Sequence, residues 1–201
     1  METLPKINGL VISAGLSSRM GVLKPLMDYK GKPFLAGILL NMSLICDTIL
    51  VVTGHESKKV KDETQGFLGC QVLNINSKVD WCYNRDYEQG MFNSLQAGLR
   101  ELKNEGWILY HFVDQPGLPV DFYLDFKKEI DESVDWLQPN YNSRNGHPVL
   151  FSNKVKQRVL EHNSDQSLRK LKDSEDILKK YWSCNYPQIL QDFNTPKDII
   201  K

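Results

Sequence analysis

Residues 10–24 read LVISAGLSSRMGVLK, and this stretch decides the expected fold of the chain. Residues 10–12 form an unbroken apolar run, which is typical of a parallel strand that is buried on both faces. A polar turn follows at 13–21, and Arg19 and Lys24 add two cations. This turn is suited to binding phosphate groups, because a turn after a first strand presents backbone N–H groups to an anion. The stretch contains neither GxGxxG nor GxxxxGK[ST], so it is not a Rossmann fingerprint or a P-loop.

The turn offers donors of three kinds: backbone N–H groups, hydroxyls and cations. Gly15 and Gly21 can adopt positive φ, which brings backbone N–H groups close to an anion. Ser17 and Ser18 supply hydroxyl donors. The alternative interpretation is a tight strand-to-helix turn whose cations lie on the surface.

Four further segments accompany this turn along the chain. They are GMFNSL at 90–95, DQP at 114–116, GHPVLF at 146–151 and DFNTP at 192–196. Together with residues 10–24 they resemble the signatures of the molybdenum cofactor nucleotidyltransferase family, and the match is closest to its molybdopterin cytidylyltransferase branch. Ser13 stands where the family signature has alanine. The resemblance spans almost the whole chain and implies a single nucleotidyltransferase domain over residues 1–201, with a Rossmann-like three-layer α/β/α fold and a mostly parallel sheet.

The activity that the resemblance implies is magnesium-dependent transfer of a cytidylyl group. The group would pass from CTP to the phosphate of molybdopterin, and pyrophosphate would leave. A phosphate monoester has a second pKa of about 6, so its attacking oxygen is already largely deprotonated at neutral pH and needs no general base. The protein must instead position two polyanions in line and neutralise their repulsion.

The resemblance also implies roles for individual charged residues. Arg19 and Lys24 would contact the β- and γ-phosphates of the leaving group, and Asp114 would bind magnesium through a hard oxygen ligand. The DFNTP segment would supply a second ligand. Asn194 occupies a position where many relatives of the cytidylyl branch carry aspartate, and Asp192 matches the first aspartate of the motif. The sequence leaves open whether Asn194, Asp192 or both bind the metal.

Other positions are expected to contact one of the two substrates. The nucleotide-binding residues implied are Ser13, Ala14, Gly15, Ser17, Ser18, Arg19, Gly21, Lys24, Gly90 and Ser94. His147 in GHPVLF could donate to the phosphate or to the pterin of the second substrate. Two alternatives remain for these segments. The 90–99 stretch also fits a plain amphipathic helix, and 194–196 fits a helix N-terminus with Thr195 or Asn194 as its cap.

The choice of CTP depends on Ala14. The guanylyl branch prefers a second glycine at this position, and a methyl group there leaves less room for the larger purine. Two alternative functions remain. The chain could transfer a nucleotidyl group to a sugar, choline or isoprenoid-precursor phosphate. It could also be a non-catalytic chaperone that hands the cofactor to a molybdoenzyme, such as a molybdenum hydroxylase client.

Composition excludes several other classes. The 25 basic and 25 acidic side chains give a formal net charge of zero, which argues against a general binder of nucleic acid or of anionic membranes. The four cysteines form no CxxC pair, so free thiols are expected rather than a zinc site or a disulfide framework. No run of 18 apolar residues and no secretory signal pattern occurs, and we expect a cytoplasmic protein.

Alternating periodicity predicts a parallel α/β sheet. The strands expected are 7–13, 48–53, 71–75, 107–113, one near 136–138 and 149–152. The helices expected are 33–45, one ending near 67, 94–103, one beyond 121, and charged helical stretches from 154 to 180. Ligands of such sheets collect beyond the carboxyl ends of the strands. The turn at Gly15 and the carboxylate of Asp114 should therefore meet in one crevice.

Overall fold

The computed structural model describes residues 5–15, 23–70, 77–162, 167–194 and 198. Its strands are β1 (Ile7–Ser13), β2 (Asp28–Tyr29), β3 (Lys32–Pro33), β4 (Thr48–Thr53), β5 (Lys78–Tyr83), β6 (Trp107–Phe112), β7 (Trp136–Tyr141), β8 (Arg144–Asn145), β9 (Val149–Phe151) and β10 (Lys179–Ser183). Its α-helices are α1 (Phe34–Met42), α2 (Ser57–Gly69), α3 (Met91–Glu101), α4 (Val120–Lys128), α5 (Asn153–Glu161) and α6 (Leu168–Lys172). Short 3-10 turns lie at Lys24–Leu26, Tyr87–Gln89 and Pro187–Leu190.

The main sheet has the strand order β10-β7-β9-β6-β1-β4-β5, with β8 paired to β7. β1 pairs in parallel with both β4 and β6, and β5 extends this parallel half. The other half is mixed, because β9 is antiparallel to its neighbours β6 and β7, whereas β10 is parallel to β7. The expected three-layer fold with a mostly parallel sheet is confirmed.

Two apolar cores cover the two faces of the sheet. Alternate residues of β1 divide between them, since Val11 packs with α1, α2 and α4, whereas Leu10 packs with α3, α5 and α6. Side chains alternate across a strand, so a continuous apolar run implies helices on both faces. The apolar run at 10–12 therefore explains the central position of β1.

Two predicted elements differ from the structure. The strand expected at 71–75 lies outside the described residues, and the strand that pairs with β4 is β5, which the sequence did not reveal. β5 alternates charged and apolar residues along an exposed edge, so it lacks the apolar run of a central strand. The helical stretch expected up to residue 180 was wrong at its end, because 179–183 form β10 beside β7.

Within the described ranges, no helix has both the length and the apolar character that a membrane span requires.

Candidate active site

The crevice lies at the carboxyl edge of the parallel half of the sheet. β1 is flanked by β4 on one side and β6 on the other. The chain adds β4 and β5 on one side of β1 and then crosses to form β6 on the other side, so the strand order reverses at β1. Such a switch point opens a cleft beyond the strand ends. The residues that follow β1 and β6 both reach this cleft, which is where the sequence predicted that the first turn and Asp114 would meet.

A cavity of about 310 Å³ occupies the cleft. Of the predicted site residues, those that line it are Ser13, Ala14, Gly15, Lys24, Gly90, Ser94 and Asp114. We call this space the nucleotide cavity. It therefore gathers side chains from three separate parts of the chain around one volume.

Part of the predicted phosphate turn lies outside the described residues, namely Ser17, Ser18, Arg19 and Gly21. Gly15 is described and does not have the positive φ that was expected of it. A Cβ atom at Gly15 would meet no heavy atom of the described residues within 4 Å, and the position is exposed. Ser13 is almost fully buried, and its Oγ has no hydrogen-bond partner in the described part of the chain.

Lys24 lies between the side chains of Asp114 and Asn194. Its Nζ donates to Asn194 Oδ1 at 3.0 Å and lies 3.7 Å from Asp114 Oδ2. The side chains of Lys24 and Asp114 are only 16% and 28% exposed, so this ion pair is partly shielded from solvent. The ammonium group therefore already brings one cation against the two oxygens that were predicted to bind a metal.

Asp114 lies in a turn after β6, and its carboxyl group has a raised pKa. Burial is the main cause; the nearby Lys24 lowers the pKa, whereas the carboxylate of Asp192 raises it. Two carboxylates that repel one another across a half-buried cleft attract cations. Asp114, Asp192 and the carbonyl oxygen of Asn194 are hard oxygen donors and fit magnesium.

The described residues hold no cluster of three or more His, Cys, Asp or Glu side chains able to hold a metal. A magnesium ion here would therefore take its remaining ligands from water and from the phosphates of a nucleotide, which is its usual behaviour.

Gln115 fixes the position of Asp192, and sequence reasoning missed it. Gln115 is 2% exposed, and its Nε2 donates to Asp192 Oδ1 at 3.0 Å. The backbone N–H of Phe193 donates to the carbonyl of Asp114 at 2.9 Å. These two bonds hold the 192–194 segment against the end of β6. The signal in the sequence was the middle residue of DQP, a polar side chain between the expected ligand and a proline.

Aromatic packing anchors the same segment from the other side. The ring of Phe193 lies 5.1 Å from that of Tyr29 and 5.8 Å from that of Phe34, both in edge-to-face arrangements. Asn194 continues from this anchor, and its backbone N–H donates to Asp198 Oδ2 at 3.0 Å. The alternative cap Thr195 lies outside the described residues, as does Pro196.

Ser94 reaches the nucleotide cavity from the first turn of α3. Gly90 precedes this helix with φ of 105°, a conformation that favours glycine. Ser94 Oγ accepts a hydrogen bond from Asn84 Nδ2 at 3.0 Å, and its contact to the carbonyl of Gly90 is long, at 3.4 Å. Asn84 was also missed by sequence reasoning. The Ser94 hydroxyl therefore accepts from Asn84 and donates to the carbonyl of Gly90, and the long second bond is the weaker of the two.

Tyr87 forms a further wall that the sequence did not reveal. A Cβ atom at Gly54 would lie 2.5 Å from Cγ of Tyr87 and 2.6 Å from the carbonyl oxygen of Ala14. Only glycine leaves room for this contact, so β4, β1 and the Tyr87 turn meet tightly. The sequence signal is the glycine that directly follows the second apolar strand.

A second and larger pocket adjoins the nucleotide cavity. Its volume is about 630 Å³, and it shares Met91 and Phe112 with the first. We call it the aromatic pocket, because Tyr110, Phe112 and Trp136 line it. His147 lies here rather than in the nucleotide cavity, with its ring 4.7 Å from that of Phe112.

His147 is uncharged in this environment. Burial lowers its pKa to about 4; Asp192 opposes this effect, whereas Lys172 adds to it. Its backbone N–H donates to the carbonyl of Ile189 at 3.1 Å, and its Nδ1 is buried without a partner among the described residues. A neutral imidazole can donate one hydrogen bond without adding charge.

Comparisons with known proteins agree with this geometry. A family model described as a MobA-like NTP transferase domain matches residues 9–178. The chain is 24% identical to the molybdenum cofactor cytidylyltransferase of Escherichia coli (strain K12), over 96% of this chain and 94% of that protein. It is 25% identical to a probable molybdenum cofactor guanylyltransferase of Nostoc sp., over 96% of this chain and 88% of that protein.

A solved structure supports the fold. A nucleotidyl transferase from Methanothermobacter superposes with a TM-score of 0.77 at 21% sequence identity. The alignment covers 97% of this chain and 94% of that one.

Proposed function

We propose, because this chain belongs to the MobA-like NTP transferase family, that it is a magnesium-dependent cytidylyltransferase of molybdenum cofactor biosynthesis. It would transfer the cytidylyl group of CTP to the phosphate of molybdopterin and release pyrophosphate. The observation that carries the proposal is the shared cavity of Ser13, Lys24, Ser94 and Asp114, which adjoins a second pocket large enough for an acceptor.

The residues around the nucleotide cavity suit charge neutralisation. The Lys24 ammonium would stabilise the negative charge that builds up on the departing pyrophosphate, a role worth more in a half-buried cleft than in water. Ser94 would donate its hydroxyl proton to the nucleotide in place of its long 3.4 Å bond to the carbonyl of Gly90, while Asn84 keeps the hydroxyl oriented. No side chain has to remove a proton, since the acceptor phosphate is largely ionised at neutral pH.

Asp114, with Asp192 and Asn194 beside it, would hold the magnesium ion. When bound, the ion would supply positive charge that lowers the repulsion between the phosphates. Lys24 contacts Asp114 and Asn194 in the described structure, so it would exchange these oxygens for the phosphates of the nucleotide. Gln115 would keep Asp192 oriented during this exchange through its 3.0 Å hydrogen bond.

Preference for CTP is supported by Ala14. Its side chain is 3% exposed, and its carbonyl lies against Gly54 at the wall of the nucleotide cavity. A methyl group at this wall narrows the space for a purine. Relatives of this chain include both a cytidylyltransferase and probable guanylyltransferases, so the base has to be measured directly.

The aromatic pocket would receive the acceptor. Its flat side chains suit stacking against a pterin ring, and the amide of Gln138 also lines it. Both curated relatives named above carry the molybdenum cofactor in their names, which supports molybdopterin as the acceptor here.

The deciding experiment mixes the purified protein with magnesium and each of the four ribonucleoside triphosphates, with and without molybdopterin, and measures pyrophosphate. We expect release only when molybdopterin is present, and at least about tenfold more efficiently with CTP than with GTP. Release with CTP and a sugar, choline or isoprenoid-precursor phosphate would assign another acceptor. Tight molybdopterin binding without any pyrophosphate would identify a cofactor chaperone and contradict the enzymatic proposal.

A further inference from the structure

The aromatic pocket is bordered by two cations from the short helix α6. Lys172 and Arg169 line this pocket and do not line the nucleotide cavity. They lie three residues apart on α6, so they occupy the same side of one helical turn. The two cavities meet at Met91 and Phe112, so these cations belong to the part of the cleft that lies outside the nucleotide cavity.

Lys172 is covered and weakly paired. Its side chain is 15% exposed, and within the described ranges the only carboxylate within 4.0 Å of its Nζ is Asp173, at 3.6 Å. Asp173 is itself 60% exposed, so water weakens this pair. A largely buried ammonium group without a close partner is unfavourable in the free protein, and an anionic ligand would stabilise it.

His147 completes the local arrangement. His147 and Lys172 line the same pocket, and the imidazole is neutral because burial lowers its pKa, to which Lys172 adds. Arg169 is exposed at the same pocket and, in the described part of the chain, forms no ion pair. Two cations and one neutral donor therefore face a pocket walled by aromatic rings. This combination suits an anionic group attached to a flat, largely apolar body.

We propose that Lys172, assisted by Arg169, forms an anion subsite for the acceptor in the aromatic pocket, separate from the cations that hold the triphosphate. The ligand class is an aromatic or heterocyclic phosphate, and the identification of this ligand as the acceptor rests on the proposed function. Two groups of such an acceptor share the required chemistry. One is the reacting phosphate, and the other is a second anionic group such as the dithiolene of molybdopterin.

Calorimetric titration of the full chain distinguishes these two groups. The probes are molybdopterin and hydroxymethylpterin phosphate, which carries a phosphate but no dithiolene. Lys172→Gln should raise the Kd of molybdopterin at least tenfold at low salt. If the Kd of hydroxymethylpterin phosphate rises by the same factor, the subsite holds the reacting phosphate. If only the Kd of molybdopterin rises, the subsite holds the dithiolene end. Both results support the subsite.

Two controls test the location of the effect. Lys170 is an exposed neighbour on α6 that does not line the pocket, so Lys170→Gln should leave both Kd values unchanged. The Kd of CTP should also stay unchanged in Lys172→Gln. Arg169→Gln replaces an exposed side chain and should raise the Kd of the probe that Lys172→Gln affects, by a smaller factor. This variant keeps the test available if Lys172→Gln folds poorly.

The proposal is overturned if Lys172→Gln and Arg169→Gln leave both probes within twofold of the parent protein. It is also overturned if Lys172→Gln raises the Kd of CTP by as large a factor as the Kd of the pterin probes. Because these are binding measurements, they remain interpretable without turnover. A Kd that depends on Lys172 without any pyrophosphate release would contradict the proposed transfer and support the subsite. Pyrophosphate release with Kd values that do not depend on Lys172 would support the transfer and contradict the subsite.

Discussion

The two neighbouring cavities of this protein are built in different ways. The nucleotide cavity is formed mainly by short turns at the ends of β1 and β6 and by the first turn of α3, which place Lys24 and Asp114 among apolar lining residues. The aromatic pocket is formed by rings from β6 and β7 together with side chains of α6. The first therefore depends on a few charges and backbone positions, whereas the second depends on the packing of the mixed half of the sheet.

The largest expected effect concerns the charge at the end of β6. Asp114→Asn should lower turnover by roughly 1,000-fold or more, because among the described residues Asp114 supplies the carboxylate that lines the nucleotide cavity. Steady-state pyrophosphate release at increasing magnesium measures the loss. Molybdopterin binding in the aromatic pocket should remain, and its loss would mean that the two cavities are not independent.

The neighbouring ligands serve as a comparison for Asp114. Asn194→Asp should keep activity, since it retains an oxygen donor, and Asn194→Ala should be clearly worse. If Asp192→Ala alone abolishes activity while Asn194→Ala has no effect, Asp192 is the second ligand and the predicted role of Asn194 is wrong. Excess magnesium should partly restore a variant that binds metal weakly, but not a misfolded one.

A smaller loss is expected at Lys24. Lys24→Ala should cut turnover by roughly 100-fold, the scale found on removing one electrostatic donor to a transition state. Lys58 is a suitable control, because its side chain is 92% exposed and pairs only with Asp62 within the described ranges. Lys58→Ala should leave turnover unchanged. Near-normal turnover of Lys24→Ala would make Lys24 a structural cation rather than a catalytic one.

The next effect concerns the base and is confined to the nucleotide cavity. The parent protein should use CTP at least about tenfold better than GTP, and Ala14→Gly should reduce this ratio by about tenfold, or roughly 1.4 kcal/mol. Competition between the two nucleotides measures the ratio of kcat/KM values. Ala36→Gly, in buried helix α1, controls for a general loss of stability. Equal use of both nucleotides by the parent would contradict the assignment to CTP.

The smallest effect on turnover is expected at His111, in the core of β6. Burial lowers its pKa to about 4; a hydrogen bond to the Phe112 carbonyl opposes this, and His147 adds to it. The unfolded pKa is about 6.5, so the folded state binds fewer protons between these values. The free energy of unfolding should therefore fall as the pH drops from about 6.5 to 4, by on the order of 3 kcal/mol for this residue.

Urea unfolding across this pH window measures the slope. His111→Gln cannot titrate and should show a shallower dependence than the parent protein, whereas turnover per folded molecule at neutral pH should change little. An identical slope in both proteins would mean that the buried imidazole does not control this part of the pH dependence. His147, whose pKa is also about 4, contributes a slope of the same sign.

The sequence predicted more of the nucleotide cavity than of the aromatic pocket. The apolar run at 10–12 and the Asp114 segment mark strand ends, and strand ends of a parallel sheet meet at one edge. Local patterns therefore sufficed to predict that the turn at Gly15 and Asp114 lie at one crevice, whereas Lys24 and Ser94 were assigned to the site through the family resemblance. β5 was not predicted, because an exposed edge strand with alternating charges lacks an apolar run.

The aromatic pocket could not be predicted in the same way. Its walls come from residues such as Tyr110 and Trp136, which read in sequence as ordinary strand residues of an apolar core. Lys172 belongs to a run of charges that is typical of a solvated helix face, and only the fold brings it to a pocket. Gln115 and Asn84 were missed because each acts by orienting another side chain, a role that leaves no pattern along the chain.

The hydrogen bond between Lys24 and Asn194 joins residues that lie 170 positions apart. Contacts of such long separation form late in folding, because the entropy of closing a long loop opposes them until local structure is in place. During synthesis, β1, β4 and β6 can pair before residue 194 has left the ribosome. We therefore expect the Lys24 ammonium group to gain its Asn194 partner only when the 192–194 segment docks through Phe193, so that this part of the site is assembled late in folding.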